Sequence, residues 1–316
     1  MFDERAAADR AAKAMRSRGQ DDLVRAPAWH RAVPKPRMQL PPGACDSHLH
    51  IIGPQEVFPL LPESPFKYLA FDDSTADDWL TVRDALGLSR GVHVQSFMYG
   101  CGYHHLVHTL MRAEGSLRGV AAVWPGITDG ELDILSGAGV VGARFAYALH
   151  PRIDERLVGR LVDRNWSLHY SLGSGADADW RRQILARPGR FVLEHIGMSP
   201  ADRGVDSPQF RFVLDCLETG RCWVKLSTRP SNQDTLPFSD LKPLVNEVLT
   251  RAPDRALWGS DWPHIPYFRP MPNEAELLDI NIDWLTDEGL VTRVFVKNPA
   301  EAFDWPYGPE HRAGPA

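Results

Sequence analysis

The sequence has few cysteines and no long apolar segment, and each shortage excludes a class of protein. Its four cysteines, Cys45, Cys101, Cys216 and Cys222, are scattered without a C-x-x-C pair, which is typical of reduced thiols in a cytoplasm. No apolar run approaches the ~18 residues that a transmembrane helix needs. The first residues, MFDERAAADRAAKAMRSR, are charged and Ala-rich, so we expect no secretory signal and a cytoplasmic protein.

The sequence also lacks a cluster of basic residues. Lys and Arg number 35 against 41 Asp and Glu, which gives a net charge of −6 and argues against a nucleic-acid-binding surface. Hydrophobic residues make up 43% and charged residues 24%, both near the average of globular proteins. The abundant types are Trp (10), His (12) and Pro (26), a profile that indicates a compact enzyme with long ordered loops.

The chain divides into an N-terminal arm, one large domain and a short tail. Residues 3–18 predict an exposed helix rich in Ala, Arg and Asp. Residues 26–43 contain five prolines, which cannot continue that helix and predict an extended segment wrapped around the domain. We therefore expect an arm over residues 1–43, a domain over 44–305 and a tail over 306–316.

One pattern recurs eight times after the arm: a short apolar or β-branched run ends in a polar residue and is followed by a loop and a helical stretch. Successive runs begin roughly 20 to 47 residues apart, enough for a strand, a helix and two loops. Eight such units predict an α/β fold, a single (β/α)8 TIM barrel with an N-terminal extension. A doubly wound sheet is the alternative, but no glycine-rich dinucleotide motif begins any of the helices. The runs cover residues 44–50, 91–95, 119–124, 140–145, 166–170, 191–195, 222–227 and 256–261.

Six of the eight runs end on a side chain that can ionise or bind a metal. In a barrel, the active site forms at these C-terminal strand ends. The two-residue period of a strand places Asp46, His48 and His50 on one face of the first run. The seventh run carries Lys225 and Ser227. The remaining candidates are, in chain order, Arg144, His169, His195, Arg229 just beyond the seventh run, and Asp261.

Each candidate also has a structural explanation. His48 and His50 could be ordinary loop or core histidines, and Asp261 could be the N-cap of a helix, but the other groups gathered at the strand ends favour function. Arg144 is harder to explain structurally, because a charge inside a barrel is costly unless it meets an anion. Solvated or packed side chains are expected of three histidines on one helical stretch, His104, His105 and His108.

Six segments together resemble the amidohydrolase superfamily. The resemblance covers about residues 42–305, and its most specific parts are D-x-H-x-H at the start and G-S-D-W-P near the end. The chain is similar to the branch that contains 2-pyrone-4,6-dicarboxylate lactonase, the sulfomuconolactone hydrolases and sugar lactonases. This resemblance implies a hydrolase that opens a small anionic cyclic ester in the catabolism of aromatic compounds. The segments are GACDSHLHIIGP (43–54), RGVHVQ (90–95), GARF (142–145), EHIG (194–197), WVKLS (223–227) and WGSDWPH (258–264).

The resemblance also implies a metal site. Superfamily members with a histidine at the end of the fifth strand commonly bind one Zn²⁺, so the expected ligands of one Zn²⁺ or Mn²⁺ ion are His48, His50, His169 and Asp261. Strand alternation points His169 inward and Tyr170 outward. A shift of one residue would turn His169 toward a helix and bring Tyr170 into the site, which would favour a metal-free site such as that of the pyrone lactonase.

Lactone hydrolysis requires a deprotonated water and a polarised carbonyl. Asp261 is the expected general base, because a carboxylate beside histidines or a metal can take a proton from water at neutral pH. His48, His50 and His195 are expected to stabilise the negative oxygen of the tetrahedral intermediate, with or without the metal.

Anion recognition is assigned to arginines. Arg144 and Arg229 are expected to hold the acid groups of the substrate, since a guanidinium fork matches a carboxylate or sulfonate. The pyrone lactonase has a second arginine six residues after the first, where this chain has His150, so we expect a different arrangement of anion contacts there. Tyr68 and Ser96 are further candidates for hydrogen bonds to the ring, with loop packing as the alternative.

Two rival functions remain open. A decarboxylase of the same superfamily would use the same metal set on a hydroxylated aromatic acid, and a barrel without catalysis would only bind a carboxylated ligand. A binuclear phosphotriesterase-like site is disfavoured, because Arg144 stands where a carboxylated lysine would bridge two metals. The expected partner is a small anionic lactone, with no nucleic acid or membrane, and the chain is expected to be a monomer or a homodimer.

Overall fold

The computed structural model describes residues 24–61, 64, 69–150, 152–173, 176–265 and 270–306. The helix expected over 3–18, the candidate Tyr68 and residues 307–316 of the tail lie outside the described residues. Across the described segments, no helix is both long enough and apolar enough to cross a membrane.

Eight parallel strands form the central sheet, and each pairs with the next one along the chain. This sequential order confirms the predicted barrel and excludes a doubly wound sheet, in which the strand order reverses partway. All eight predicted runs contain a strand, with ends that differ by up to three residues. The strands are β1 Cys45–Leu49, β2 Arg90–Val94, β3 Leu117–Ala122, β4 Val140–Ala146, β5 Ser167–Ser171, β6 Phe191–Leu193, β7 Cys222–Leu226 and β8 Ala256–Trp258.

The barrel closes where the end of β1 meets the segment after β8. The backbone N–H of Asp261 donates to the carbonyl of His48 at 2.8 Å, and the N–H of His50 donates to the carbonyl of Trp262 at 2.7 Å. Gly259 permits this approach, because a Cβ at that position would lie 2.6 Å from the Cβ of His48. The backbone therefore brings the β1 histidines beside Asp261.

A helix follows each strand on the outside of the barrel. Several begin at a side-chain cap: Thr75 and Thr128 form capping boxes with Asp78 and Glu131. Three short helical segments follow the last of these helices, at Glu288–Thr292, Arg293–Lys297 and Asn298–Ala302. The main helices are α1 Ala76–Leu86, α2 Tyr103–Arg112, α3 Asp129–Gly137, α4 Glu155–Asp163, α5 Ala178–Ala186, α6 Pro208–Glu218, α7 Lys242–Arg251 and α8 Glu274–Ile282.

The core has two layers. The larger one lies between the sheet and the helices, and the smaller one fills the inside of the barrel. The inner layer is closed by Phe303 and Trp305 from the C-terminal segment. Side chains at the C-terminal strand ends therefore lie above an apolar floor. The strand residues of this inner layer are Cys45, Val92, Val94, Val120, Val192, Trp223 and Leu257.

The proline-rich segment 26–43 contains no helix, as its prolines predict. Just before it, Val24–Arg25 pairs in parallel with Leu69–Ala70. Trp29 packs edge-on against Trp262 with ring centroids 5.1 Å apart, and its Nε1 donates to the carbonyl of Asp73 at 3.2 Å. Trp29 thus packs against the loop that carries Asp261.

Candidate active site

Asp46 joins the two sides of the barrel closure. Its carboxylate accepts hydrogen bonds from the backbone N–H groups of His48 and Ser260, both at 3.0 Å, and from the Ser260 hydroxyl at 2.5 Å. Burial raises the pKa of Asp46 to about 7. Asp46 is buried and therefore fixes the backbone around the site.

His48, His50 and Asp261 form the centre of the site. The two Nε2 atoms lie 3.3 Å apart, and each is 3.6 Å from Oδ1 of Asp261. All three side chains are buried. Asp261 is held in the left-handed region with a φ of 68°, because the chain turns sharply after β8 and aims the carboxylate back over the barrel. The structure thus brings together three of the expected metal ligands.

These three donor atoms fit a small divalent ion. Tetrahedral Zn²⁺ has bonds of about 2.0–2.1 Å to nitrogen and oxygen, which corresponds to about 3.3–3.4 Å between neighbouring ligand atoms. The observed separations of 3.3 to 3.6 Å are close to that spacing. A second group of three possible ligands, His48, Glu194 and His195, is less suitable because Arg144 occupies the Glu194 carboxylate.

The hydrogen bonds of the two β1 histidines define their tautomers. Nδ1 of His50 donates to the carbonyl of Val94 at 2.6 Å, which leaves Nε2 as an acceptor. Nδ1 of His48 lies 3.1 Å from Nζ of Lys225. Burial, reinforced by the charge of Lys225, holds the pKa of His48 well below its ordinary value, so the ring is neutral. Lys225 is itself fully buried, and burial lowers its pKa to about 8.

His169 does not join this group. It pairs in register with Arg144 and so faces the inside of the barrel, and Tyr170 faces outward against Trp180, as the alternation predicts. However, its Nε2 lies 3.0 Å from the Ser167 hydroxyl, and its ring stacks on Phe303 at 5.9 Å. In the described chain, neither group of three possible metal ligands includes it. This corrects the expected set of four ligands. The predicted inward direction of His169 agrees with the structure, but His169 lies deeper in the barrel, two residues before the end of β5.

His195 faces Asp261 from the end of β6. The strand stops at Leu193, and His195 turns with a φ of 52° into a short 3₁₀ segment. Its Nδ1 lies 2.8 Å from the Ser227 hydroxyl, and its Nε2 lies 3.9 Å from Oδ1 of Asp261. Burial lowers the pKa of His195 to about 4, although the charge of Asp261 opposes the shift. A neutral ring is thus available to donate or accept a proton beside the carboxylate.

Arg229 binds Asp261 in this structure. Its Nη1 donates to Oδ2 of Asp261 at 2.9 Å. Burial acts to raise the pKa of Asp261, but Arg229 and His195 outweigh it and hold that pKa well below the usual range. Arg229 thus pairs with the candidate base, and its expected contact with a substrate acid group stays a prediction.

Arg144 meets an anion of the chain itself. Its Nε donates to both Glu194 oxygens at 3.0 and 3.1 Å, and its Nη2 donates to Oε2 at 2.8 Å. Burial acts to raise the pKa of Glu194, but Arg144 and Lys225 hold it below the usual value. The rule that an inward arginine needs an anion was correct, but sequence reasoning missed Glu194. The available signal was its position at the end of the sixth run, next to His195.

Two weaker candidates have local partners. The His150 Nε2 lies 3.2 Å from the carbonyl of Val123, and its Nδ1 lies 3.2 Å from both the N and O atoms of Ala146. Burial lowers the pKa of His150. The Ser96 hydroxyl caps a 3₁₀ turn by accepting from the N–H of Met98 at 3.3 Å. The structure thus uses His150 to join the ends of β3 and β4, and the Ser96 oxygen as a turn cap.

The parallel barrel and its histidine–aspartate centre define a class: (β/α)8 barrels with a polar site at the C-terminal strand ends. Within that class, the sequence model of the amidohydrolase family matches residues 45–305. The chain belongs to this family.

The chain is similar over most of its length to two named lactone hydrolases. It is 30% identical over 274 residues to a 4-sulfomuconolactone hydrolase of Rhizobium radiobacter, covering 84% of this chain and 91% of that protein. It is 32% identical over 295 residues to a 2-pyrone-4,6-dicarboxylate hydrolase of Comamonas testosteroni, covering 88% of this chain and 95% of that protein.

Solved structures share the fold at lower identity. A crystal structure from Agrobacterium tumefaciens aligns with a TM-score of 0.73 at 23% identity, over 86% of this chain and 99% of that one. An amidohydrolase from Burkholderia multivorans, solved with bound zinc, aligns with a TM-score of 0.64 at 18% identity, over 83% of this chain and 99% of that one. Metal binding is common in the superfamily, and this chain has possible ligands within reach of one another.

Proposed function

We propose that this protein is a lactonase that hydrolyses a small anionic cyclic ester in the catabolism of aromatic compounds. The names of its two similar relatives support the reaction and the type of substrate. The observation that carries the proposal is the Asp261 carboxylate, which lies 3.6 to 3.9 Å from the Nε2 atoms of three histidines at the mouth of the barrel.

In this mechanism Asp261 is the general base. Its carboxylate takes a proton from water as the water oxygen attacks the lactone carbonyl carbon. The resulting oxyanion is stabilised by imidazole N–H groups at the barrel mouth, of which His195 is the best placed. When the bond between the carbonyl carbon and the ring oxygen breaks, Asp261 returns its proton to that oxygen and the ring opens.

We propose that one divalent ion, Zn²⁺ or Mn²⁺, is held by His48, His50 and Asp261. Bound there, it would polarise the lactone carbonyl as a Lewis acid. The separations of the three donor atoms support this set. In the metal-free alternative, His48 and His195 act as hydrogen-bond donors to the oxyanion, because Nδ1 of His50 already donates to the carbonyl of Val94.

We also propose that the enzyme is cytoplasmic and acts as a monomer or homodimer. Its four cysteines are free, and three of them are buried, which supports a reducing compartment.

The test combines a panel of pyrone, muconolactone and sugar lactones with one substitution. Hydrolysis releases an acid, which consumes base in a pH-stat, whereas a decarboxylase releases CO₂. Asp261→Asn keeps the shape of the side chain but not its basicity, so kcat is expected to fall by about 10²-fold or more. Asp77→Asn, which changes an exposed carboxylate on α1, is the matched control. Activity of a folded Asp261→Asn protein near that of the wild type would exclude Asp261 as the base.

A further inference from the structure

Two arginines at the mouth of the barrel, Arg144 and Arg229, are paired with carboxylates of the chain itself. Arg144 makes three hydrogen bonds to Glu194, and Arg229 makes one to Asp261. An arginine is always charged in a protein, and each carboxylate cancels one positive charge. The two guanidinium groups therefore offer hydrogen-bond donors to a substrate but little net positive charge.

Arg144 keeps one edge for a ligand. Glu194 uses Nε and Nη2, and the ring of Phe97 lies over the guanidinium with its centroid 4.6 Å from Cζ. Among the described residues, Nη1 of Arg144 donates no hydrogen bond. The edge formed by Nη1 and the second hydrogen of Nη2 can therefore bind one acid group.

Within the described part of the chain, two further basic side chains near this edge, Lys225 and His150, do not add a second anion site. Lys225 is completely buried, with Nζ 3.1 Å from Nδ1 of His48, so it lies behind that ring. His150 has both ring nitrogens on backbone atoms of Val123 and Ala146. A second acid group on the substrate would thus face the Glu194 and Asp261 carboxylates, and the proposed divalent ion, held by Asp261 and directed at the lactone carbonyl, would not be free to bind it.

Phe97 and Trp124 form an aromatic wall next to Arg144. Their ring centroids lie 6.3 Å apart with the planes at 87°, and both rings are partly exposed. Phe97 begins the 3₁₀ turn after β2 and Trp124 follows β3, so both lie at the C-terminal strand ends. An acid-binding edge beside aromatic faces complements a flat ring that carries one acid substituent.

We propose that the site selects a planar lactone with a single acid group, held by the free edge of Arg144 against the aromatic wall. This inference rests on the proposed lactonase function and narrows its substrate class. It makes Glu194 a specificity-determining residue, because this carboxylate cancels the charge that a second acid group would need.

The test uses three lactones with the same ring: 2-pyrone, its 6-carboxylate and its 4,6-dicarboxylate. We expect kcat/KM for the monocarboxylate to exceed that for each of the other two by about tenfold or more, since unmatched like charges disfavour a complex strongly. Equal or better turnover of the dicarboxylate would overturn this inference and leave the lactonase function intact. No turnover of any lactone in a wider panel would instead overturn the proposed function.

Glu194→Gln tests the cause of the preference. Removing one carboxylate leaves Arg144 uncompensated, so the ratio of kcat/KM for the dicarboxylate to that for the monocarboxylate is expected to rise about tenfold or more. Glu155→Gln is the matched control, because Glu155 also pairs with a buried arginine, Arg187, but outside the site. An unchanged ratio in a folded Glu194→Gln protein would contradict the role of Glu194. If this variant fails to fold, the wild-type ratios alone decide the inference.

Discussion

Nη1 of Arg229 donates a hydrogen bond of 2.9 Å to Oδ2 of Asp261. The carboxylate proposed as the base is thus tied to a cation 32 residues earlier in the chain, at the end of a neighbouring strand. The pair keeps Asp261 ionised over the whole physiological pH range. It also keeps Oδ2 occupied, so Oδ1 is the oxygen that faces the histidines.

The pH dependence of kcat/KM should depend on the ion pair between Asp261 and Arg229. Asp261 acts only when ionised, so activity is lost as the pH falls through its pKa, which Arg229 helps to hold down. Arg229→Gln removes that charge, the pKa rises, and the acidic limb of kcat/KM is expected to move to higher pH. Arg211→Gln, at an exposed ion pair with Asp206, is the control and should leave the limb in place. An acidic limb that does not move in Arg229→Gln would show that another group controls it.

Measurements of metal retention should show that His50 binds the metal and that His169 does not. We expect protein purified with Zn²⁺ or Mn²⁺ to lose the ion and its activity on dialysis against a chelator at mildly acidic pH, and to recover both when metal is added. Elemental analysis should find the metal depleted in His50→Asn and retained in His169→Asn, because His169 lies outside the ligand group. Equal depletion in both variants would restore His169 to the ligand set. Full activity with less than about a tenth of an equivalent of metal would support the metal-free mechanism.

The same site predicts how metal content depends on pH. An ion bound to Nε2 of His48 requires the ring hydrogen on Nδ1, which faces Nζ of Lys225 at 3.1 Å. Lys225 accepts that hydrogen only as a neutral amine, and its pKa is about 8. We therefore expect metal affinity to rise with pH as Lys225 loses its proton. Competition with a chelator of known affinity measures this dependence, and a flat profile would contradict it.

The buried Arg144–Glu194 pair should be revealed by a double-mutant cycle. Arg144→Met leaves Glu194 buried without its main partner and should lower the free energy of unfolding by about 3–5 kcal/mol. Adding Glu194→Gln should recover more than half of that loss. Arg160→Met, at an exposed pair with Asp129, is the control and should cost less than about 1 kcal/mol. Urea unfolding provides all of these values, and additive losses would mean that the two side chains do not interact.

Stability should also depend on pH through His264 and Glu274, which are both buried and lie 2.8 Å apart. Burial acts to lower the pKa of His264, but Glu274 outweighs it and the pKa is raised. The stabilisation is therefore fully present below the unfolded value of about 6.5 and is lost as the pH rises through the folded pKa. Glu274→Gln should cost about 2 kcal/mol at pH 6 and flatten this dependence. Equal pH slopes for the two proteins in urea unfolding would contradict the assignment.

Much of the fold was predictable because its signals are local. The eight apolar runs predicted the eight strands, and the alternation of side chains predicted the inward direction of Arg144 and His169. Proline content predicted that residues 26–43 contain no helix. Strand ends were less predictable where the backbone turns to positive φ, as at His195 and Asp261, because such turns depend on the surrounding packing.

The sequence by itself determined the barrel, its family and the set of polar side chains at the strand ends, because each of these follows from residue type and short-range period. Tertiary structure decided which of those side chains meet. Arg144 and Glu194 are 50 residues apart, and Lys225 and His48 are 177 apart, so no local pattern could pair them. The depth of His169 was decided in the same way. Parity sets the face of a strand on which a residue lies, but its height depends on the stagger of neighbouring strands around the barrel.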